Sequence, residues 1–135
     1  MAMPARDRSI NILLVEQDLG EARRVRELLA ESELPSAVYR VEDWDEGLAF
    51  LRGVAPFSGV PVPDLLLLDL DPTDDVMERA LAELRSYPGL QGLPVIALAA
   101  NGSRSRSRSG FGYRVLDKPI AYDRLLNALH SLSLV

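Results

Sequence analysis

Residues 64–70 read Asp-Leu-Leu-Leu-Leu-Asp-Leu, so four consecutive leucines stand directly before Asp69. A short apolar run without polar alternation is typical of a strand that is covered on both faces, as in a parallel sheet. Residues 53–63 precede the run, contain several glycines and prolines, and are predicted to form a loop. The sequence therefore predicts a buried strand whose carboxyl end presents Asp69.

Similar short apolar runs occur on both sides of this one. They predict strands at residues 10–15, 37–41, 93–99 and 113–116, with the central strand at 64–70. The intervening segments repeat apolar residues at helical spacing. In chain order these sets are Ala22, Val25, Leu28 and Leu29; Trp44, Leu48 and Leu51; Val76, Ala80, Leu81 and Leu84; and Leu125, Leu126, Leu129 and Leu132. Strands that alternate with helices predict an α/β fold, a doubly wound five-stranded parallel sheet with helices on both faces.

Capping residues and helix breakers give the expected helix ends. Asp18, followed three residues later by Glu21, has the spacing of a capping box at a helix start. Gly53 is predicted to end the second helix, and the third is predicted over residues 75–86. Residues 101–110 include alternating serines and arginines and have no apolar face. The fourth helix is therefore predicted to be short or disordered, with a loop in its place.

The composition limits the kinds of protein to consider. A chain of 135 residues with 47% hydrophobic composition predicts a single domain, residues 1–135, with a core from about residue 9 to 133. The lack of cysteine excludes disulfides, thiolate metal sites and cysteine nucleophiles. A net charge of −5 argues against nucleic-acid binding. No apolar stretch approaches the roughly 20 residues of a membrane-spanning helix, so we expect a cytoplasmic protein without a membrane partner.

Acidic residues and one lysine follow the predicted strands. Glu16 and Gln17 come after the first, Asp69 and Asp71 after the third, and Lys118 after the fifth. An open parallel sheet gathers its functional groups at these carboxyl ends. Two carboxylates about 4 Å apart repel by roughly 4 kcal/mol at an effective dielectric of about 20, so they need a cation or a lysine. Mg²⁺ suits carboxylate, water and phosphate oxygens, and a carboxylate there can attack a phosphoryl group. Any one of these acids could instead be only a helix cap.

Four motifs resemble those of CheY-like response-regulator receiver domains. They are Ile-Leu-Leu-Val-Glu-Gln-Asp at residues 12–18, Pro-Asp-Leu-Leu-Leu-Leu-Asp-Leu at 63–70, Leu-Pro-Val-Ile-Ala-Leu at 93–98 and Asp-Lys-Pro-Ile at 117–120. The resemblance implies a flavodoxin-like fold from about residue 10 to 132. It also implies that Asp69 accepts a phosphoryl group, that Glu16 and Asp69 hold Mg²⁺, and that Lys118 pairs with the phosphoryl oxygens. A cis peptide bond before Pro119 belongs to the same resemblance.

The resemblance also implies partners. A sensor histidine kinase or a phosphotransfer protein would donate the phosphoryl group from a phosphohistidine. The loop before Pro63 is similar to that of single-domain regulators paired with phytochrome-type histidine kinases, and a homodimer is compatible with the resemblance. Such a domain is not an enzyme beyond its own phosphorylation and dephosphorylation.

Three positions depart from the receiver pattern. Gln17 stands at the second acidic position, and its neutral oxygen weakens Mg²⁺ binding unless Asp71 compensates. Ala99 replaces the hydroxyl residue that ends the fourth strand, so its hydrogen bond to a phosphoryl group is lost unless Ser103 or a water molecule substitutes. Val115 stands at the aromatic position, with Tyr113 displaced by two residues. These departures support a second hypothesis, a degenerate receiver that acts as a phosphorylation-independent interaction module.

A third hypothesis comes from residues 69–73, Asp-Leu-Asp-Pro-Thr, which resemble the Asp-x-Asp-x-Thr signature of haloacid-dehalogenase-type phosphatases. In that family the first aspartate, here Asp69, is the nucleophile and the second, here Asp71, is a general acid. Against it, the signature lies in the middle of the chain and no late Gly-Asp-Asp type motif follows Lys118. A chain of 135 residues also leaves no room for a cap domain, so this hypothesis ranks behind the two receiver hypotheses.

Overall fold

The computed structural model describes residues 9–32, 34–69, 75–99 and 113–132. Its strands are β1 (Ile10–Val15), β2 (Ser36–Val41), β3 (Leu65–Leu68), β4 (Val95–Ala99) and β5 (Arg114–Asp117). Its helices are α1 (Leu19–Glu31), α2 (Trp44–Arg52), α3 (Asp75–Arg85) and α4 (Tyr122–Ser131), with a short 3₁₀ helix at Pro88–Leu90. The predicted strands and helices are all present, with ends that differ by one or two residues. The segment at 101–110 lies outside the described residues.

The five strands form one parallel sheet in the order β2-β1-β3-β4-β5. This order confirms the doubly wound sheet that the sequence predicts. β3 is the central strand, and its Leu67 pairs with Leu14 of β1 on one side and Ile96 of β4 on the other. From β1 the chain first adds β2 on one side of β1, and then crosses to add β3, β4 and β5 on the other side. The strand order thus reverses between β1 and β3, and ligands of such sheets bind beyond the carboxyl ends at this point.

Two apolar cores lie on the two faces of the sheet. Leu65 and Leu67 point to the face covered by α1 and α4, whereas Leu66 and Leu68 point to the face covered by α2 and α3. All four leucines of β3 are at most 1% exposed. Because burial of a leucine side chain stabilises a fold by roughly 1.5–3 kcal/mol, β3 contributes heavily to the core. It also gives Asp69 a rigid base.

The buried faces of two helices differ from the predicted ones by one position. Val76 was predicted to be buried but is 40% exposed, and Met77 is fully buried in its place. In α2, Leu48 is only half-buried, while Gly47 and Phe50 are buried. A Cβ on Gly47 would lie 3.0 Å from the side chain of the β1 residue below it, so the small residue lets α2 approach the sheet. The spacing of apolar residues in the sequence did not predict that Met77, Gly47 and Phe50 are buried.

The helix ends show which capping predictions were right. Gly53 ends α2 in the left-handed conformation, with φ of 67°, as expected of a glycine after a helix. Asp18 caps α1 by accepting a hydrogen bond from the backbone amide of Glu21 at 3.0 Å. None of the helices in the described part of the chain is long and apolar enough to cross a lipid bilayer.

Candidate functional site

Three carboxylates surround the ammonium group of Lys118. Its Nζ lies 2.8 Å from Oδ2 of Asp69 and 3.5 Å from Oε1 of Glu16, and it also contacts Oε2 of Glu21. The structure therefore brings together three of the residues that the sequence singled out, Glu16, Asp69 and Lys118. A fourth residue, Glu21, also belongs to this cluster, although the sequence predicted it only as part of a capping box.

The sheet fixes where these side chains lie. Asp69 follows β3, and its backbone amide donates to the carbonyl of Val15 at 3.0 Å, which extends the β1–β3 ladder by one residue. Lys118 follows β5, and its amide donates to the carbonyl of Ala99 at 2.7 Å, which does the same for β4 and β5. Both side chains are thus held at the carboxyl edge by backbone hydrogen bonds rather than by a free loop. This is the edge that the strand order marks as a ligand site.

Glu16 is the buried acid of the cluster, with 1% of its surface exposed. Its Oε2 accepts a hydrogen bond from the amide of Asp18 at 3.1 Å, while its Oε1 accepts none from the described residues. Burial raises the pKa of Glu16 to about 7, and the neighbouring Asp69 carboxylate adds to the rise. The Asp18 amide and the charge of Lys118 act in the opposite direction. A buried carboxyl group with a spare acceptor is characteristic of a site that takes a ligand.

Lys118 is a charged group in this setting. Burial alone would lower its pKa, but the hydrogen bonds to Asp69 and Glu21 and the negative charges of Asp69 and Glu16 outweigh burial and raise the pKa above its usual value. The ammonium therefore stays protonated at neutral pH and neutralises part of the acidic cluster. Lys118 is also the only lysine of the chain, because the other fourteen of its 15 basic residues are arginines.

Glu21 corrects the capping-box prediction. Its backbone amide does bond Asp18, but its side chain does not return to the Asp18 amide as a capping box requires. That amide is bonded by Glu16 instead, which leaves the Glu21 carboxylate free to reach Lys118. The sequence places the first turn of α1 near Glu16, which follows β1, but the spacing alone does not distinguish a helix cap from a bond to Lys118.

Gln17 does not join this cluster. The side chain of Gln17 is exposed, and its backbone carbonyl accepts a hydrogen bond from Nη2 of Arg40 at 3.1 Å. Arg40 also donates through Nε to the carbonyl of Glu16 at 2.8 Å, so it holds the turn between β1 and α1. Asp71 lies outside the described residues, and its predicted compensation for Gln17 stays a prediction.

The altered switch positions lie within the packed part of the sheet. Ala99 is fully buried at the end of β4, and its methyl group offers no hydrogen bond. Val115 is half-buried on β5, and Tyr113 is 7% exposed and packs in the core on the α2 and α3 face. The peptide bond between Lys118 and Pro119 is cis, as the resemblance implied.

The donor set suits a divalent cation. One oxygen each from Glu16, Glu21 and Asp69 lies within 4.8 Å of the other two. Carboxylate oxygens are the ligands that Mg²⁺ and Mn²⁺ accept, and when Glu16 is ionised the three carboxylates against one ammonium leave two negative charges for such an ion to neutralise. The cluster could therefore hold a divalent metal ion, and the buried free oxygen of Glu16 fits the same conclusion.

The raised pKa of Glu16 predicts a specific dependence of stability on pH in metal-free buffer. Its folded-state pKa of about 7 lies above the ordinary value of 4.5, so the folded protein binds more protons than the unfolded chain between these pH values. The stability that a protonated Glu16 contributes is complete below pH 4.5 and is lost as the pH rises to about 7. We expect Glu16→Gln to remove this loss, measured as the difference between wild type and variant in urea unfolding at each pH. Parallel pH profiles of the two proteins would contradict the prediction.

Comparison with known proteins gives consistent relatives. Response regulator Rcp1 of Synechocystis sp. is 35% identical to this chain over 90 residues, which are 67% of this chain and 61% of that protein. The chain thus matches less than two thirds of the length of this curated relative. No family model matches the chain.

Solved structures show the same fold over nearly the whole chain. The phosphorylated cyanobacterial phytochrome response regulator RcpA is 29% identical with a TM-score of 0.68, and 93% of this chain and 91% of that chain are covered. The Mn²⁺-bound form of Rcp1 is 27% identical with a TM-score of 0.69, with 93% and 94% covered. The bacteriophytochrome response regulator RtBRR is 26% identical with a TM-score of 0.76, with 94% and 80% covered.

Proposed function

This chain belongs to the response-regulator receiver family, and from that premise we propose that Asp69 accepts a phosphoryl group in two-component signal transduction. The observation that carries the proposal is the position of the Asp69 carboxylate, which follows the central strand and lies 2.8 Å from the Lys118 ammonium. Its side chain is 23% exposed, so a donor can reach it from solvent. The proposed chemistry is confined to the protein's own phosphorylation and dephosphorylation.

The proposed transfer starts from a phosphohistidine of the partner. A carboxylate oxygen of Asp69 attacks the phosphorus atom, the phosphorus–nitrogen bond breaks, and the nitrogen of the histidine keeps the electron pair. When the other ring nitrogen of the phosphohistidine carries a proton, the products are an acyl phosphate on Asp69 and a neutral histidine. Lys118, charged and within hydrogen-bond distance of Asp69, stabilises the negative phosphoryl oxygens as they approach.

We propose Mg²⁺ as the ion of the site. Glu16 and Asp69 would hold it, and the neutral Gln17 would contribute less than an acid at that position. The bound ion supplies positive charge to the phosphoryl oxygens during transfer. Glu16 is 1% exposed and the Asp69 side chain is 23% exposed, so of these two carboxylates Asp69 is the one that a donor can reach.

The proposed donor is a sensor histidine kinase of the phytochrome type or a phosphotransfer protein that relays from one. The support is that two of the solved structures above, RcpA and RtBRR, are a phytochrome and a bacteriophytochrome response regulator. The proposal places the exchange in the cytoplasm, which agrees with a sequence that contains no cysteine.

Phosphorylation by a small-molecule donor tests the proposal. Incubation with phosphoramidate and Mg²⁺ is expected to add one phosphoryl group to the intact wild-type protein, measured by mass spectrometry. Asp69→Asn is expected to show no adduct, whereas Asp45→Asn, which changes an exposed aspartate on α2, retains it. An adduct that persists in Asp69→Asn, or a folded wild type that shows none, would exclude Asp69 as the acceptor.

A second candidate is a receiver that binds its partner independently of phosphorylation. Ala99 favours it, because a buried methyl group at the end of β4 cannot follow a phosphoryl group as a hydroxyl would. Beryllofluoride with Mg²⁺ separates the candidates by NMR. A switching receiver should show shifts at Lys118 and along β4 and β5, whereas shifts confined to Asp69 and Lys118, or no shifts, favour the interaction module. Selective labelling of lysine gives a single side-chain signal, because Lys118 is the only lysine.

A further inference from the structure

Glu21 lies at the boundary between the acidic cluster and solvent. Its carboxylate extends from the first turn of α1 and contacts the Lys118 ammonium, so it bridges α1 and the end of β5. The side chain is 44% exposed, whereas Glu16 on the other side of Lys118 is 1% exposed. A hydrated ion that approaches the cluster from solvent therefore meets Glu21 before it meets Glu16.

The buried Glu16 carboxylate points independently to a ligand at this place. Its Oε1 is buried and accepts no hydrogen bond in the described part of the chain. It lies 3.5 Å from Lys118 Nζ, which is longer than a hydrogen bond, so it faces the centre of the cluster without a close donor. A buried acceptor left unsatisfied costs roughly 1–3 kcal/mol, and a cation bound between the carboxylates would remove that cost.

The charges of the cluster also favour an additional cation when all three of its carboxylates are ionised. Glu16, Glu21 and Asp69 together oppose one ammonium, that of Lys118, and their nearest oxygens lie within 4.8 Å of one another. The receiver pattern places a second acid where this chain has Gln17, whose exposed side chain is neutral. Glu21 restores the number of carboxylates that this substitution removes.

We propose that Glu21 is the third carboxylate of the divalent-cation site, with Glu16 and Asp69, and that it replaces the acid absent at Gln17. The inference rests on the proposed function, since it concerns the ion that would serve phosphorylation of Asp69. Glu21 acts on the ion directly or through one of the water molecules that Mg²⁺ retains. Gln17 contributes little, because its side chain is exposed and offers only a neutral oxygen in place of a carboxylate.

Titration with Mn²⁺, followed by the EPR signal of the free ion, tests this assignment on the full chain without phosphorylation. Glu21→Gln is expected to weaken Mn²⁺ binding by about tenfold, the lower end of the effect of losing a supporting ligand. Glu27→Gln removes an exposed carboxylate from the same helix and is expected to bind Mn²⁺ as the wild type does. Gln17→Asp in the Glu21→Gln background is expected to recover the lost affinity. Bound Mn²⁺ should also broaden the side-chain carbon signals of Glu21 in the wild type.

Several results would overturn the assignment. Wild-type affinity in a folded Glu21→Gln variant would do so, as would the absence of broadening at Glu21 while Mn²⁺ is bound. A wild type that binds no Mn²⁺ would overturn it as well. Failure of the proposed function would look different. If Asp69 never takes up a phosphoryl group but Mn²⁺ binding still depends on Glu21, the cation site stands and the role of Asp69 as phosphoacceptor is rejected.

Discussion

Replacement of Lys118 with Met is expected to lower the free energy of unfolding by about 3 kcal/mol at pH 8, because it leaves the buried carboxylate of Glu16 and the partly buried carboxylate of Asp69 without their counter-charge. Because methionine keeps most of the aliphatic part of the lysine side chain, the loss of unfolding free energy measures mainly the effect of removing the ammonium charge. At pH 5 the loss should be smaller, since the pKa of Glu16 is already about 7 and this carboxyl group is then protonated. Urea unfolding can be followed by the fluorescence of Trp44, the single tryptophan, whose Nε1 donates to Glu83 and links α2 to α3.

Two variants serve as controls for that result. Arg114→Met removes an exposed positive charge from β5, the strand that precedes Lys118, and should change stability by no more than about 0.5 kcal/mol. Lys118→Arg keeps the charge but replaces a compact ammonium with a planar fork, which does not fit the same three oxygens. We therefore expect only partial recovery with arginine. Equal stability of wild type and Lys118→Met at pH 8 would show that the ammonium does not stabilise the cluster.

The position of Asp69 could be predicted from the sequence because a single physical pattern determines it. Four unbroken leucines require cover on both faces, and this requirement places the strand in the middle of a parallel sheet. The residue after such a strand must lie at the carboxyl edge, together with Glu16 and Lys118 from the ends of β1 and β5. Topology alone therefore brought these side chains to one edge of the sheet.

Glu21 could not be assigned from the sequence because two roles share one spacing. An acid three residues after Asp18 suits a capping box, and this local role accounts for Glu21 without any long-range contact. The choice between a cap and a bond to Lys118 depends on how closely β5 approaches α1. Arg24 contributes to that approach, because its Nη2 donates to the carbonyl of Ile120 at 3.1 Å and holds the turn that follows Lys118. Such a long-range contact leaves no pattern in the local sequence.

The buried faces of α2 and α3 were missed for a different reason. Helical spacing allowed either Val76 or Met77 to begin the apolar stripe of α3, and only packing on the sheet selects Met77. In α2, Gly47 is buried because the close contact between this helix and the sheet needs a residue without a side chain. A search for apolar side chains at helical spacing does not select a glycine. Errors of this kind move a helix face by one residue and leave the sheet and its edge unchanged.

Replacement of Leu67 with Ala is expected to cost about 3–4 kcal/mol of unfolding free energy, because it opens a cavity in the middle of the sheet. Leu67 is 1% exposed and pairs with Leu14 and Ile96, strand residues that cannot move inward without breaking backbone hydrogen bonds. Leu19→Ala is the matched control, since Leu19 is 69% exposed at the start of α1 and should change stability by no more than about 0.5 kcal/mol. Urea unfolding of both variants provides the comparison.

The same variant also separates stability from site geometry. Leu67 lies two residues before Asp69 on the same strand, but the amide of Asp69 is held by the carbonyl of Val15, not by the Leu67 side chain. In the folded fraction, Leu67→Ala should therefore still take up a phosphoryl group from phosphoramidate, although the midpoint of its urea unfolding is lower. A Leu67→Ala protein as stable as Leu19→Ala would mean that β3 is not the central buried strand, and the placement of Asp69 at the sheet edge would then lose its basis.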